Sequence, residues 1–176
     1  MALNILNSDF QWLEEVESYI GELVDEDSLT NAERKWVHLK TSITEEIEKI
    51  VGGRPNIRVH FSDYSDLAPW ETDLTGEKRG YIRHISLEYD DEPLLIARSI
   101  AQPDEGGEVF LGSLKARPLG TLLFEERDWK RSKNILAIRT FSDVYGRACF
   151  WENKKLGVSL IVEEFFLPAL TFYNRS

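Results

Sequence analysis

Arg83, Arg98, Glu163 and Glu164 carry charge at positions where strand alternation surrounds them with apolar neighbours. Successive side chains of a strand point to opposite faces. Over residues 80–89, Tyr81, Arg83, Ile85, Leu87 and Tyr89 share one face, and Ile82, His84, Ser86 and Glu88 share the other. Arg83 is thus a guanidinium on an apolar face, where it needs an anion or hydrogen-bond acceptors. Arg98 lies with Leu94, Ile96 and Ile100 and is a second candidate for a buried cation. Over residues 158–167 both faces are apolar, so at least one of Glu163 and Glu164 is expected to be desolvated. A desolvated carboxyl shifts upward in pKa unless an Arg holds it ionised, and so becomes useful as an acid or base near neutral pH. Two readings fit these four residues equally well. In one, Arg83 or Arg98 pairs with Glu164 as a purely structural ion pair. In the other, a small ligand lies between helices and sheet with a carboxylate on Arg and a polar end on Glu.

The elements that must position these groups follow from periodicity. Phe10, Leu13, Val16, Ile20, Leu23 and Val24 recur at helix spacing behind Ser8, a candidate N-cap. Residues 31–51 read as a second helix with Trp36, Leu39, Ile43, Ile47 and Val51 on one face, ended by Gly52-Gly53-Arg54-Pro55. From Ile57 the period becomes two. Residues 62–79 read as a long polar loop, with Asp63, Asp66, Glu71 and Asp73 solvated, and His84 is expected in solvent on its mostly polar face. Strands are expected over 80–89 and 94–102, joined by Asp90-Asp91-Glu92-Pro93. A turn at 104–107 and one or two short helices within 111–124 follow, then strands over 133–141, 147–152 and 158–167. Helices first and hairpin-linked strands after them imply an α+β fold: a single antiparallel sheet with N-terminal helices and a short helical segment packed on one side, one domain over residues 1–176.

Composition narrows the function classes. The 176 residues include 31 Asp plus Glu against 21 Lys plus Arg, a formal charge of −10. That balance argues against a nucleic-acid partner, which requires a basic footprint. No apolar run approaches the ~20 residues of a membrane helix, and the first residues lack the basic start and apolar stretch of a secretory signal. A single cysteine, Cys149, leaves no internal disulfide and reads as a core hydrophobe. His38, His60 and His84 lack metal-ligand spacing, so neither metal nor cofactor is expected. A cytoplasmic monomer is expected.

Several short motifs resemble those of the chorismate pyruvate-lyase (4-hydroxybenzoate synthase) family, in the family's order. They are Asp27-Ser28-Leu29-Thr30; Tyr81-Ile82-Arg83 with Glu92-Pro93-Leu94-Leu95-Ile96-Ala97-Arg98-Ser99; Lys115-Ala116-Arg117-Pro118-Leu119-Gly120 with Leu123-Phe124; and Tyr145-Gly146-Arg147-Ala148-Cys149-Phe150, followed by LIVEEFFLPA. The resemblance implies a chorismate lyase-like fold and elimination of pyruvate from chorismate to give 4-hydroxybenzoate. It implies that Arg83 holds the ring carboxylate and that Glu164 acts at the 4-oxygen end as general acid or base. Backbone groups at Leu29 and Leu119 would line the same enclosed site. It thereby selects Glu164 over Glu163, which alternation could not do. The sequence departs from the family pattern at Ala97-Arg98, at Ala148-Cys149 and in the length of the 31–51 helix. A non-catalytic binding domain for a small aromatic acid on the same fold is the competing expectation.

Overall fold

The computed structural model describes residues 20–173. In chain order these form β1 (Gly21–Leu23), a 3-10 turn (Glu26–Ser28), α1 (Asn31–Val37), α2 (Ile43–Val51), β2 (Asn56–Asp66), α3 (Pro69–Thr75), β3 (Arg79–Tyr89) and β4 (Glu92–Ala101). Then come α4 (Glu105–Ser113), α5 (Leu119–Glu125), β5 (Lys130–Thr140), β6 (Tyr145–Asn153), β7 (Val158–Phe166) and α6 (Pro168–Tyr173). All strand pairs are antiparallel, and the sheet order is β1-β5-β6-β7-β4-β3-β2. The α+β class and its single antiparallel sheet are as the sequence indicates. No helix among the described residues is long and apolar enough to cross a membrane.

Local chemistry explains where the elements begin and end. Thr30 caps α1 in a reciprocal box with Glu33, the Thr30 hydroxyl accepting from the Glu33 N–H and the Glu33 carboxylate from the Thr30 N–H. Ser42 caps α2 with its hydroxyl alone, which accepts from the Glu45 N–H. The expected helix over 31–51 is therefore two helices: a second capping residue at Ser42 starts a new helix, and the chain turns at residues 38–42 between them. Gly52, in the left-handed region at φ 72°, closes α2 as expected. The β3–β4 hairpin turns on Asp90 (φ 50°) and Asp91 (φ 61°), the two left-handed residues of a tight turn matched to strand twist.

Two other expectations are corrected. Residues 62–79 are not a loop: β2 continues to Asp66, Pro69 opens α3, and Glu71 accepts the Ala68 N–H at 2.7 Å. Similarly, 104–107 is a helix start, with Asp104 Oδ1 accepting the Gly107 N–H at 2.7 Å. At the N-terminus, Ser8, Phe10, Leu13 and Val16 lie outside the described residues. Leu23, expected to continue their helix, is instead in β1, paired with β5, and Trp70 Nε1 donates to the Gly21 carbonyl at 2.7 Å.

Helices cover both faces. α1, α2 and α6 pack Trp36, Val37, Ile43, Ile47 and Leu170 onto Ile85, Leu87, Leu95, Ala97 and Phe166. On the same face, α4 and α5 pack Leu111, Leu119 and Leu123 with Tyr81, Cys149, Trp151, Leu160 and Val162. The opposite face is covered by Ala68 and Trp70, around the start of α3, over Ile82, Ile96, Ile100, Ile161 and Phe165. The first face thus carries two apolar clusters, and the ionic groups of the candidate site lie between them.

Candidate active site

The strand register arranges the ionic groups in rows across the four strands β3, β4, β7 and β6. Ile85, Ala97, Glu164 and Arg147 are successive cross-strand partners, as are His84, Arg98, Glu163 and Ala148 one residue away. Because the period is two, the two rows project to opposite faces. Glu164 and Arg147 therefore point under the helix pairs α1–α2 and α4–α5, while Arg98, Glu163 and His84 point towards α3.

Arg83 occupies the helix-covered face, 2 % exposed, and among the described residues no carboxylate lies against it. Its Nη2 donates to the carbonyl oxygens of Lys115 (2.7 Å) and Arg117 (3.0 Å), in the segment connecting α4 and α5. Lys115 is held in the left-handed region at φ 50°, a conformation that costs a non-glycine residue energy and that recurs at ligand sites. Arg83 Nη1 is buried with no hydrogen-bond partner. Burial alone pulls the guanidinium pKa down to about 10, which still leaves it charged at neutral pH. A buried cation with an unused donor is a high-energy arrangement that an incoming carboxylate relieves.

Glu164 faces the same cavity. Its Oε2 accepts from Arg147 Nε at 2.7 Å, and the Arg147 Nη1 donates to the Leu39 carbonyl at 2.7 Å. Cys149, the next inward residue of β6, is buried, and burial raises its thiol pKa to about 11. The cavity is walled by Thr44 of α2, by Arg83, Ile85, Ala97, Ser99, Val162 and Glu164 of the sheet, and by Pro118, Leu119 and Gly120 at the start of α5. A Cβ on Gly120 would meet Thr44 Oγ1 at 3.3 Å, so glycine lets the two helix starts approach. Arg83 and Glu164 do not touch. They stand two strand spacings apart, about 10 Å, and offset by one inward residue pair. That separation leaves room for a ring between them. The cavity is narrow as it stands, with about 20 Å³ open to the centre of a water molecule. The roof formed by α2 and α5 must give way to admit a ring.

Of the residues selected from sequence, Arg83, Leu119 and Glu164 are brought to one cavity. Leu29 is not among the wall residues. Its N–H donates to the Glu26 carbonyl, and its side chain is buried in the cluster around Trp36. The ion pair of Arg83 or Arg98 with Glu164, one of the two readings of the sequence, is not formed: Glu164 pairs with Arg147, which is directly opposite on β6. Arg147 carried its own signal: alternation places it with Tyr145, Cys149 and Trp151 on an apolar face.

Arg98 is buried, as expected, but on the other face. Its Nε and Nη2 donate to both oxygens of Glu71 at 2.9 Å, its Nε lies 3.3 Å from Glu163 Oε2, and its Nη1 meets His84 Nε2 at 2.9 Å. Glu71, expected in solvent, is completely buried here. Burial would raise its carboxyl, but the two-pronged Arg98 bond outweighs that and holds it below the usual range. Glu163 has no such hold: burial, then the Glu71 carboxylate, push it well above the usual range. His84, also expected in solvent, is buried. Burial and the Arg98 charge lower its pKa to about 3, so it is neutral and accepts from Arg98. This cluster fastens α3 to the sheet. A wider, open groove of about 430 Å³ runs past Leu67, Ile100, Phe150 and Ile161. Neither Arg83 nor Glu164 lines it, and the unpaired Arg83 Nη1 belongs with the smaller cavity, which is therefore the candidate site.

Comparison with known proteins identifies the family. The family model described as chorismate lyase matches residues 22–176. A chorismate pyruvate-lyase from Salmonella gallinarum is 31 % identical over 143 residues, covering 78 % of this chain and 84 % of that protein. A probable chorismate pyruvate-lyase 2 from Pseudomonas entomophila is 32 % identical over 160 residues, covering 84 % and 79 % respectively. A probable chorismate pyruvate-lyase from Alcanivorax borkumensis is 28 % identical over 153 residues, covering 84 % and 68 %. With its central strands carrying an unpaired buried Arg and an Arg-held Glu into one covered cavity, the chain belongs to the chorismate lyase family.

Proposed function

We propose that the protein eliminates pyruvate from chorismate to give 4-hydroxybenzoate, acting as one unit with Arg83 and Glu164 as its working residues. The observation that carries this reading is the guanidinium of Arg83, buried without a carboxylate and with Nη1 unpaired at a cavity that also holds Glu164. Arg83 takes the ring carboxylate through its free donor edge. The ring then lies against Ile85, Ala97, Val162 and Leu119, with its C4 end towards Glu164. Glu164 removes the C4 proton. The electron pair of that C–H bond becomes the C3–C4 double bond, the C3–oxygen bond breaks, and enolpyruvate departs to take up a proton as pyruvate. The ring keeps its 4-hydroxyl and becomes aromatic, a strong driving force that asks little more of the protein than orientation and a base.

The charges of the site suit a substrate with two carboxylates. Among the described residues Arg83 lines the cavity as a free cation, and Arg147 neutralises the carboxylate of Glu164. In a chain of net charge −10 the long-range field repels a dianion. Local buried cations must do the capturing. Because the roof closes tightly, release of the aromatic product is expected to be slow.

Incubating the purified protein with chorismate tests the proposal by following 4-hydroxybenzoate and pyruvate together. Equimolar release supports it. Unconsumed chorismate, with 4-hydroxybenzoate still raising the melting temperature, would make the domain a binder of aromatic acids instead.

A further inference from the structure

We infer that Arg147 is a positioning residue of this site: one guanidinium fixes the Glu164 carboxylate and, through its other arm, clasps the roof linker between α1 and α2. The inference rests on the reading of Glu164 given above.

Arg147 is 1 % exposed and has two partners of different kinds. Nε donates 2.7 Å to Glu164 Oε2 on the neighbouring strand, and Nη1 donates 2.7 Å to the carbonyl of Leu39 in the 38–42 linker. That linker leads directly into α2, whose Thr44 is part of the cavity wall. A planar guanidinium has fixed angles between its donors, so it satisfies both acceptors only when linker and carboxylate are each in place. Seating the roof and setting the carboxylate thus become one event. Two features of the sheet hold the guanidinium in register. Arg147 and Glu164 are directly opposite on β6 and β7. The preceding residue is Gly146, where a Cβ would collide with the Glu164 carbonyl oxygen, so the β6 and β7 backbones approach more closely at this row than a side chain allows.

The charged and titratable groups facing Glu164 are Arg147 and Cys149 from β6, Arg83 across the cavity from β3, and Arg131 from β5 behind the same Leu39 carbonyl. Among the described residues Arg147 alone bonds the carboxylate, and Cys149 keeps its proton at neutral pH because burial raises its pKa to about 11. Removing Arg147 therefore leaves Glu164 free to rotate, while Arg83 keeps its own contacts to Lys115 and Arg117.

The test compares wild type, Arg147→Met and Arg147→Lys for chorismate turnover and for affinity towards 4-hydroxybenzoate and benzoate. The two acids differ only in the hydroxyl that would reach Glu164. Wild type should prefer 4-hydroxybenzoate by about 10-fold, the worth of one good hydrogen bond to a charged group. Arg147→Met should lose that preference while benzoate affinity stays within about threefold. Its kcat should fall by 10²-fold or more with KM little changed. Arg147→Lys keeps a charge but cannot serve both acceptors, so it should fall between the two. If Arg147→Met does not fold, Arg147→Lys decides by the same readouts. A purely structural role would lower the melting temperature of both variants and leave the preference where it was, which would overturn the inference. So would an Arg147→Lys indistinguishable from wild type, or a wild type with equal affinity for the two acids. Chorismate left unconsumed by a wild type that still prefers 4-hydroxybenzoate would sink the proposed function alone.

Discussion

Glu163 and Glu164 are consecutive on β7, yet each meets a different arginine on a different face of the sheet. Glu164 accepts from Arg147 at 2.7 Å at the covered cavity, and Glu163 lies 3.3 Å from Arg98 beneath α3. Arg98 is already committed to both oxygens of Glu71. The second cluster therefore holds two carboxyls against one guanidinium, and one carboxyl keeps its proton. The same dipeptide supplies one carboxylate for chemistry and one neutral acid for structure.

That division gives stability a pH dependence with a definite sign. Glu163 is raised above its ordinary 4.5, mainly by burial, so the folded state binds a proton that the unfolded state releases. Its contribution is greatest below pH 4.5 and is lost as pH rises from there through the raised value, by up to about 1.4 kcal/mol per unit. Glu71 acts oppositely, since Arg98 lowers it: its contribution is lost as pH falls below the ordinary range. Glu163→Gln should flatten only the alkaline side, exceeding wild-type stability at pH 8 more than at pH 5. Urea unfolding at both pH values measures this, and parallel curves would contradict it.

Arg83 should cost stability in the absence of ligand. Its charge is buried without a carboxylate, and burial lowers its pKa to about 10. Arg83→Met should raise unfolding free energy by about 1–3 kcal/mol while lowering catalytic efficiency by about 10²-fold or more. A destabilised variant would mean that the Lys115 and Arg117 carbonyls fully compensate the charge.

Glu164→Gln preserves shape and removes the base. Turnover should fall by about 10²-fold or more, with a smaller change in 4-hydroxybenzoate affinity because Arg83 is untouched. An equal loss in both would recast Glu164 as a binding group.

Gly146→Ala would force a methyl against the Glu164 carbonyl oxygen and Phe165. Chemical denaturation should show a loss of about 1–3 kcal/mol. Neutrality would mean that β6 and β7 can separate freely, and the tight register around Arg147 would lose its support.

Much of this arrangement is legible in the sequence because a period of two is unforgiving. Arg83, Arg98 and both glutamates are identified as charges on apolar faces from alternation alone, and hairpin turns such as Asp90-Asp91 carry their own chemistry. Partners are harder to read. Alternation gives a face but not a neighbour, and the β6-β7-β4-β3 order that sets Arg147 against Glu164 joins strands distant in sequence. Glu71 and His84 were misjudged for a related reason: a helix over the second face, opened by Pro69 and fastened by Arg98, turns a polar face into an interior. The split of residues 31–51 was readable in principle, since Ser42 and Glu45 repeat the cap pattern of Thr30 and Glu33. An uninterrupted apolar stripe concealed it.

The most direct test of the central claim is a side-by-side assay of wild type and Arg83→Ala with chorismate, measuring 4-hydroxybenzoate and pyruvate. Wild type should release the two in equal amounts, and Arg83→Ala should lose catalytic efficiency by about 10² to 10³-fold, the scale of one buried charge pair. Chorismate left intact by wild type, or full activity in Arg83→Ala, would contradict it.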